Sequence, residues 1–549
     1  HWQHFTFMIL SLALLGYGVS GSVVSLLRMR LLRHFELVFL GNALLFGIAS
    51  IVCFMAVQLF PFNTLEMLWD RTQWLRLLLS YLLLAFPFFF VANAILLTMM
   101  RFEDRIPLVY GIDLLGAGLG AIGAMLLMQL LPPETVLRIL GLGAIVAGLA
   151  VPGNLRWYRQ KALAASLLVA ALLLLALIPQ KWLQPQLSEY KGLSQALLIK
   201  GATPLKQETS AISRIDVVAS PEIPFRYAPG LSLLSPAWPP EQLAVFRDGD
   251  SMNTLDRVSD ESALEYHAYT SSALPYHIHE NPRRVLILNA ATGSQALQAR
   301  RYHVPEIEAV EADALLGKLI TEQFTRYFDS AASRSALEIH TLSPRGFAAQ
   351  PRSYDLVLVP PPGASSGGAS GSDSTSSNYD YTVEAIQAYL ELLNAEGMLA
   401  ITAWTDTPAR GGLKLFTTAV AAMRNGGIHN PQDNIAWIRS WNTTTLLLGK
   451  TLFSSEEIAG IRDFAFSRNF DLAWTPDIRR QETNRYNILS QPVYYLTAQS
   501  LLTDPQQRFI TAYPYDIQPA TDDRPFFSHY FKWSQFRELL SLPLQNSIS

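Results

Sequence analysis

Long uninterrupted apolar runs dominate the first third of the chain. Residues 5–27, 37–60 and 77–100 contain no charged residue, and a helix needs about 20 apolar residues to cross a bilayer. Three weaker runs follow at residues 107–131, 135–152 and 162–179. The pattern therefore predicts six membrane spans, of which residues 135–152 form the weakest.

The connections between these runs differ in positive charge. The first, third and fifth contain most of the basic residues, at Arg28, Arg30, Arg33, Arg101, Arg105, Arg156, Arg159 and Lys161. Lys and Arg favour the cytoplasmic side of a membrane. With six spans, the chain after about residue 180 emerges on the far side, which is the periplasm in a bacterium. The orientation reverses if residues 135–152 do not span.

The fourth run contains an unusual polar position. Small residues recur there every four positions, at Gly116, Gly120 and Ala124, a spacing that lets a neighbouring helix approach closely. Asp113 is costly in lipid and needs a partner or a cavity. It fits either a transport or proton site, or a buried hydrogen bond to Asn93 or Asn42. We favour the structural role because no second carboxylate and no internal repeat accompanies Asp113.

Composition narrows the class of protein further. Only 16% of the 549 residues are charged, against about 25% in soluble proteins. The net charge of −3 gives no support for a nucleic-acid partner. The single cysteine, Cys53, excludes a disulfide within this sequence and a cysteine metal cluster. The sequence starts at His1 beside an apolar run, so we expect the natural start to lie upstream.

Strand and helix patterns alternate from residue 283 onward. Apolar strands are predicted at residues 285–288, 307–311, 337–340, 354–359 and 398–402, with a sixth candidate at 444–448 and a helix at 383–393. Such alternation is typical of a parallel sheet covered by helices on both faces, which binds ligands beyond the carboxyl ends of its strands.

The preceding segment contains two short strand patterns, "SRIDVVAS" and "LAVFRDGD", around a proline-rich loop at residues 221–240. We therefore divide the chain into a transmembrane domain (1–180), a linker and hairpin region (181–280), a Rossmann-like domain (281–450) and a C-terminal extension (451–549). The predicted fold class is a polytopic helical membrane domain plus a Rossmann-like α/β domain.

The order of several motifs carries a family resemblance. "DGD", "DESALEYHAY", "VLILNAATG", "AVEAD" and "YDLVLV" follow one another from residue 248 to residue 359. This order resembles the spermidine synthase (aminopropyltransferase) family. "HFTFMILSLALLGYGVSG", "YGIDLLGAGLG" and "YPYDIQPATDDRPFF" make the chain similar to its bacterial membrane-fused branch. The resemblance covers nearly the whole chain and implies one more span upstream.

The resemblance implies a site for an S-adenosyl nucleoside at the first two strands. Active members have a glycine-rich first loop with an acid, whereas this chain has Asn289, two alanines and Thr292 before Gly293. The acid that binds ribose hydroxyls matches Glu311, for which a solvent-exposed acid is the alternative interpretation. Any retained cofactor site would therefore consist of Asn289, Thr292, Gly293 and Glu311.

The remaining acids of the family pattern are missing. The adenine-binding position falls in "TLSPRGF" (341–347), and the catalytic acid position is occupied by Pro360. Proline offers no side-chain proton acceptor. Asp355 lies within the preceding strand, where we expect a structural role. The Gly/Ser-rich segment 363–378 is predicted to be disordered, and Asp373 or Asp380 is a weak candidate for a replacement base.

Two other polar groups have mainly structural interpretations. His277 and His279 would share one face of a strand, yet a metal site requires a third ligand, so we expect packed neutral histidines and no metal. "TDDRPFF" (521–527) is either a recognition patch or a turn with an internal ion pair and two packed aromatics. We favour the turn.

Three functions are compatible with these residues. The first is a pseudoenzyme without a cofactor that serves as a scaffold subunit in the bacterial inner membrane, with lipid and other protein subunits as partners and its α/β domain in the periplasm. The second is an active aminopropyl or methyl transferase that uses S-adenosylmethionine or its decarboxylated form. The third is a small-solute transporter that uses Asp113.

Overall fold

The computed structural model describes residues 6–63, 65–68, 70–148, 158–210, 212–328, 336–363, 376–503 and 508–535. Its contacts divide the chain into two compact units. The membrane unit comprises residues 1–189 with 209–213, and the α/β unit comprises residues 190–208 with 214–549. These two units confirm the predicted fold class, a helical membrane domain plus a Rossmann-like domain.

The membrane unit is a set of consecutive helices. They are α1 (Thr6–Arg33), α2 (Phe35–Gln58), α3 (Thr72–Arg101), α4 (Ile106–Leu130), α5 (Pro133–Gly148), α6 (Tyr158–Leu177) and the short α7 (Gln180–Leu183). Four of them, α1 to α4, are long and apolar enough to cross a membrane. The fifth predicted span corresponds to α5, which has 16 residues, and the segment between α5 and α6 lies outside the described residues.

Small residues let two pairs of these helices pack closely, α1 with α3 and α2 with α5. A Cβ atom placed on Gly16 of α1 would lie 2.6 Å from Phe88 Cβ, and one on Gly47 of α2 would lie 2.7 Å from the Gly141 carbonyl oxygen in α5. Ser20 Oγ donates a hydrogen bond of 2.7 Å to Asn93 Oδ1 between α1 and α3. In an apolar medium, such close contacts and polar pairs are what hold helices together.

The predicted contacts of α4 differ from those observed. Among the described residues Asp113 forms no hydrogen bond with Asn93, which accepts from Ser20, or with Asn42, whose amide donates to Val38 O. A Cβ on Gly116 or Gly120 would meet nothing within 4 Å. No residue of α4 is buried, so the close helix approach predicted from the small-residue spacing is not made within the described chain.

The α/β unit begins with a small antiparallel sheet. Its strands are β1 (Thr203–Thr209), β2 (Arg214–Ala219), β3 (Gln242–Arg247) and β4 (Met252–Asp256), in that order, after the short helix α8 (Gly192–Leu197). The two predicted strands around the proline-rich loop are β2 and β3, which pair antiparallel with Val217 opposite Val245. Alternating apolar residues of this sheet pack on Leu316 and Leu319.

The main sheet has eight strands in the order β12-β10-β11-β9-β8-β5-β6-β7. Their bounds are β5 (Arg284–Leu288), β6 (Glu306–Val310), β7 (Ala336–His340), β8 (Tyr354–Val359), β9 (Leu393–Trp404), β10 (Ile435–Arg439), β11 (Thr443–Gly449) and β12 (Asp471–Trp474). Strands β5 to β9 are parallel, as predicted. The continuous apolar runs of β5 and β8 are buried because helices cover both faces.

The sheet is not purely parallel as expected, because the sixth predicted strand runs in the opposite direction. It corresponds to β11, which runs antiparallel to both β9 and β10. The physical reason is the short connection from Arg439 to Thr443, which can only form a hairpin because a parallel crossover needs a dozen or more residues. The edge strand β12 then extends the sheet past residue 450.

Helices on both faces complete the unit. They are α9 (Leu274–Ile278), α10 (Ser294–Arg301), α11 (Ala314–Phe328), α12 (Pro344–Ala348), α13 (Val383–Glu391), α14 (Gly411–Asn425), α15 (Ser455–Ser467), α16 (Val493–Thr503) and α17 (Arg508–Ala512). The predicted helix at 383–393 ends two residues early as α13, because Leu393 begins β9. The order of strands β7-β6-β5-β8-β9 places the topological switch point between β5 and β8.

Candidate functional site

The loops that follow β5, β6 and β8 meet at the carboxyl edge of the sheet. The sequence-predicted residues Asn289, Thr292 and Gly293 lie in the loop after β5, Glu311 follows β6, and Pro360 follows β8. Parallel pairing of β5 with β6 and with β8 brings these loops together. This edge, at the switch point, is where the fold class binds ligands.

The loop after β5 has a tightly wound backbone. Asn289, Ala291 and Gly293 have positive φ values of 56°, 50° and 86°. Only glycine adopts this region without a penalty, and an alanine there costs about 1–2 kcal/mol. Gly293 precedes α10 and needs this freedom, whereas Ala291 must be held by other contacts.

Glu311 provides the contact that holds Ala291. Its Oε2 accepts the Ala291 N–H at 2.8 Å, and its Oε1 accepts the Asp313 N–H at 3.0 Å. The residue is only 5% exposed, so the alternative of a solvent-exposed acid is wrong. Burial raises the pKa of the Glu311 carboxyl, and the two backbone N–H groups oppose that rise. Each carboxylate oxygen thus already has a partner within the protein.

Asn289 and Thr292 are also bonded within the protein. Asn289 Nδ2 donates to Asp380 Oδ2 at 3.0 Å, although the two residues are 91 positions apart. Thr292 is buried, and its Oγ1 donates to the Thr254 carbonyl oxygen at 2.7 Å. Burial raises the pKa of Asp380, and the Asn289 amide opposes that rise. The structure therefore brings together all four predicted positions and uses their polar groups internally.

A cavity of about 50 Å³ lies beside this loop, toward the small sheet. It has room for only a few water molecules. The residues that line it include Tyr227, Asn253, Thr254, Tyr266, His267, Ala291, Thr292, Gln295, Pro360 and Pro361. Asp380 does not line this cavity. Pro360, the position that the resemblance aligns with a catalytic acid, therefore lines the cavity, and Asp380, the candidate replacement base, does not.

Two residues that line the cavity, Tyr266 and His267, lie against the buried carboxyl of Asp256. Tyr266 Oη donates to Asp256 Oδ2 at 2.5 Å, and Gln242 Nε2 donates to Asp256 Oδ1 at 2.8 Å. His267 stacks on Tyr266 with ring centroids 4.1 Å apart, and its Nε2 lies 3.8 Å from Asp256 Oδ2 without a hydrogen-bond partner. Burial raises the pKa of Asp256 to about 6 and lowers that of His267 to about 3.

Sequence reasoning missed Asp256 as a member of this site. It ends β4, in a strand that the sequence analysis did not identify, and it is 1% exposed. A polar residue immediately after the apolar Leu255 gives no sequence signal of burial. Its part in the site, as the acceptor of the Tyr266 hydroxyl, becomes apparent only when the small sheet packs against the segment that contains Tyr266.

The loop after β8 begins with three consecutive prolines and is held against the end of β9. The Pro362 carbonyl oxygen accepts the Trp404 Nε1–H at 2.7 Å, which fastens the loop to the end of β9. Asp355 has the structural role expected, since its Oδ2 accepts the N–H groups of Arg283 and Arg284. Residues 364–375, which include Asp373 and most of the predicted disordered segment, lie outside the described residues.

The third loop and the C-terminal signature contact each other. Ser343 caps α12 through the Gly346 N–H. Asp522 accepts from Arg345 at 3.0 Å and from Thr382 at 2.7 Å.

The predicted ion pair within 521–527 is not formed among the described residues. A turn does form there, since the Arg524 N–H donates to Thr521 O, but Asp522 pairs outside the motif. Phe527 packs on Tyr381, whereas Phe526 is 37% exposed, so only one of the two predicted aromatics is buried. The buried Lys414 Nζ donates to the carbonyl oxygens of Phe526 and His529. The motif therefore attaches the C-terminal segment to the helices that cover the sheet.

The predicted histidine strand is a helix. Residues Leu274–Ile278 form the short helix α9, so His277 lies in its last turn and His279 follows it directly. His277 Nε2 lies 3.8 Å from Asp463, and burial lowers its pKa.

A different group, Glu308, Glu338 and His340, has ligand atoms within 4.8 Å of one another. Glu308 is already paired with Arg284 and Arg352. These guanidinium groups compensate the charge that a metal ion would otherwise neutralise.

Comparisons with known proteins found similar solved structures at low sequence identity and low TM-score. No family model and no curated protein sequence matches the chain. The chain is similar to the solved spermidine synthase of Thermotoga maritima (15% identity, 54% of this chain and 87% of that chain, TM-score 0.32). It is also similar to a probable spermidine synthase of Corynebacterium glutamicum (17% identity, 48% and 86%, TM-score 0.32). A putative methyltransferase of Escherichia coli is similar over 33% of this chain (12% identity, 81% of that chain, TM-score 0.22).

Proposed function

We propose that this chain is a membrane-anchored pseudoenzyme of the spermidine-synthase type that serves as a scaffold subunit of a membrane protein complex. One observation carries the proposal. The polar side chains at three of the four positions where a nucleoside would bind are bonded within the protein, most clearly at Glu311, which is buried and accepts two backbone N–H groups.

The chemistry of aminopropyl transfer supports the same conclusion. An amine nitrogen attacks the carbon bound to a sulfonium, the C–S bond breaks with its electron pair going to sulfur, and a base takes the amine proton. In the resemblance that base is the acid replaced by Pro360. Proline at this position of the cavity wall supplies no side-chain proton acceptor of its own.

The proposed location follows from the charge bias of the connections. In this proposal six spans cross the membrane with basic odd-numbered connections inside, and the α/β unit lies in the periplasm of a bacterium, where S-adenosyl nucleosides are not expected. In this proposal the protein has no cofactor, and its partners are lipid and other protein subunits.

Calorimetry on the purified full chain tests the lack of nucleoside binding. We expect no binding heat with S-adenosylmethionine or its decarboxylated form at millimolar concentration. Binding that Glu311→Ala abolishes and Glu338→Ala retains would overturn the proposal. Glu338 is a suitable control because it is an exposed acid on the next strand.

The scaffold role has a separate test. In native membranes solubilised with a mild detergent, we expect the 61.1 kDa chain to migrate with other subunits in a larger complex. Migration as a monomer at every detergent concentration would contradict the scaffold role, whatever the calorimetry shows.

Transfer of an aminopropyl or methyl group is a second candidate, favoured by one contact. Asp380 lies next to the first loop through its bond to Asn289, and its raised pKa suits a base. If this function is real, product formed from a diamine and decarboxylated S-adenosylmethionine is detected by mass spectrometry. The product must then be lost in Asp380→Asn and retained in Asp463→Asn, an exposed aspartate.

A further inference from the structure

An apolar tip projects from the proline-rich loop of the α/β unit. We define the tip as Leu233, Leu234, Trp238 and Trp441, all of which are more than half exposed. Leu233 is 83% exposed, so it projects from the surface and does not line a groove. Exposed apolar groups that cluster in this way mark a binding surface.

The backbone under the tip is firmly held. Ser232 Oγ donates to the Arg468 carbonyl oxygen at 2.7 Å, and the Ser232 N–H donates to Tyr269 O at 2.9 Å. The Ser235 N–H closes the turn on Ser232 O at 3.1 Å. Trp441 Nε1 donates to Leu231 O at 3.1 Å. The leucines are therefore presented in a fixed position and lose little conformational entropy on binding.

The charge of this segment favours one kind of partner. Between Glu222 and Glu241, residues 223–240 contain no acid, and Arg226 is their only charged residue. The Arg226 guanidinium lies 5.0 Å from the centroid of the Trp238 ring. Leucine, tryptophan and arginine without acids form the composition that binds the interfacial region of a bilayer, where the apolar groups enter the acyl boundary and the cation meets anionic headgroups.

We propose that the tip inserts into the interfacial region of a lipid bilayer and acts as a second membrane contact of this chain. The described part of the same chain carries four helices that are long and apolar enough to cross a bilayer, so the chain that bears the tip is expected to be membrane-bound. A projecting leucine pair also suits a soft medium, which needs no complementary pocket. The expected ligand is a bilayer that contains anionic phospholipid.

Site-directed spin labelling of the full chain tests this proposal. Cys53 is the only cysteine, so a Cys53→Ala background allows one label at Leu233→Cys. The matched control is Leu452→Cys, an exposed leucine of the same unit outside the tip. Both proteins are placed in nanodiscs of phosphatidylethanolamine and phosphatidylglycerol, and collision with oxygen and with a water-soluble nickel complex is measured.

We expect the label at position 233 to lose nickel accessibility and to gain oxygen accessibility in nanodiscs, while the label at 452 remains water-accessible. Equal, water-like accessibility at both positions would overturn the proposal. Shielding of position 233 from both reagents would also overturn it, because that result indicates a protein partner.

A second variant tests the contribution of the leucines. In Leu233→Asp/Leu234→Asp, both side chains are exposed, so we expect an unchanged unfolding temperature in detergent. A label at Trp238→Cys in this variant should become accessible to nickel in nanodiscs. A Trp238 label that keeps its lipid exposure would show that these leucines do not carry the contact.

Discussion

Asp256 and His267 have opposite pH dependences within one buried contact. The pKa of His267 falls from 6.5 to about 3, so its contribution to stability is present above pH 6.5 and is lost as the pH falls toward 3. The pKa of Asp256 rises from 3.8 to about 6, so its contribution is present below pH 3.8 and is lost as the pH rises through 6. Between pH 4 and 6, therefore, the contribution of His267 to the free energy of unfolding rises with pH and that of Asp256 falls with pH.

Single substitutions should separate the two slopes. We compare the change in the free energy of unfolding that each substitution causes at pH 5 and at pH 7. For His267→Gln we expect this change to be about 1–2 kcal/mol more stabilising at pH 5 than at pH 7. For Asp256→Asn we expect it to be less stabilising at pH 5 by a similar amount. Thermal unfolding of the full chain at both pH values, followed by tryptophan fluorescence, measures this difference. Shifts of the same sign in both variants would contradict the assignment.

At the scale of elements, α2 contains two glycines in different surroundings. Gly47 faces the Gly141 carbonyl oxygen of α5, where an added Cβ would lie at 2.7 Å, whereas nothing lies within 4 Å of a Cβ on Gly41. Both substitutions to alanine gain the same intrinsic helix propensity, about 1 kcal/mol. Their difference therefore isolates the packing of α2 on α5.

We expect Gly41→Ala to leave the unfolding temperature in detergent unchanged or slightly raised. Gly47→Ala should lower it, because α5 must move away and the close helix contact is lost. Static light scattering during heating is a suitable measurement. Equal effects of the two substitutions would show that the α2–α5 contact contributes nothing to stability.

At the scale of the whole molecule, the number of spans decides the side on which the α/β unit lies. Within the described part of the chain, four helices are long and apolar enough to cross a membrane, while α5 has 16 residues and α6 has 20. If both α5 and α6 cross, the α/β unit is periplasmic.

Reporter fusions in a bacterial host test this arrangement. We expect alkaline phosphatase fused to the C-terminus to be active and a green fluorescent protein fused there to be dark. Fusions after Phe102, in the basic third connection, should give the opposite pattern. A fluorescent C-terminal fusion would reverse the proposed sidedness and would imply that one fewer helix crosses.

Local patterns alone were enough to predict much of the fold. The apolar runs predicted α1 to α4, because a bilayer demands length and apolarity in one continuous segment. The buried strands β5 and β8 were predicted for a similar reason, since both of their faces lie under helices. The predictions of a parallel strand at 444–448 and of a strand at His277 were wrong. Short segments without clear periodicity do not determine which element they form or which strand they pair with.

The state of the candidate site depended on contacts between distant residues. The sequence showed two alanines in the first loop, and the resemblance implied that Pro360 stands where an active member has an acid. It did not show that Asn289 bonds Asp380, that Thr292 bonds the backbone of Thr254, or that Glu311 holds Ala291. Such pairings depend on how strands and loops converge in space, and no local pattern records them. The tertiary structure therefore decided that these polar groups are used within the protein.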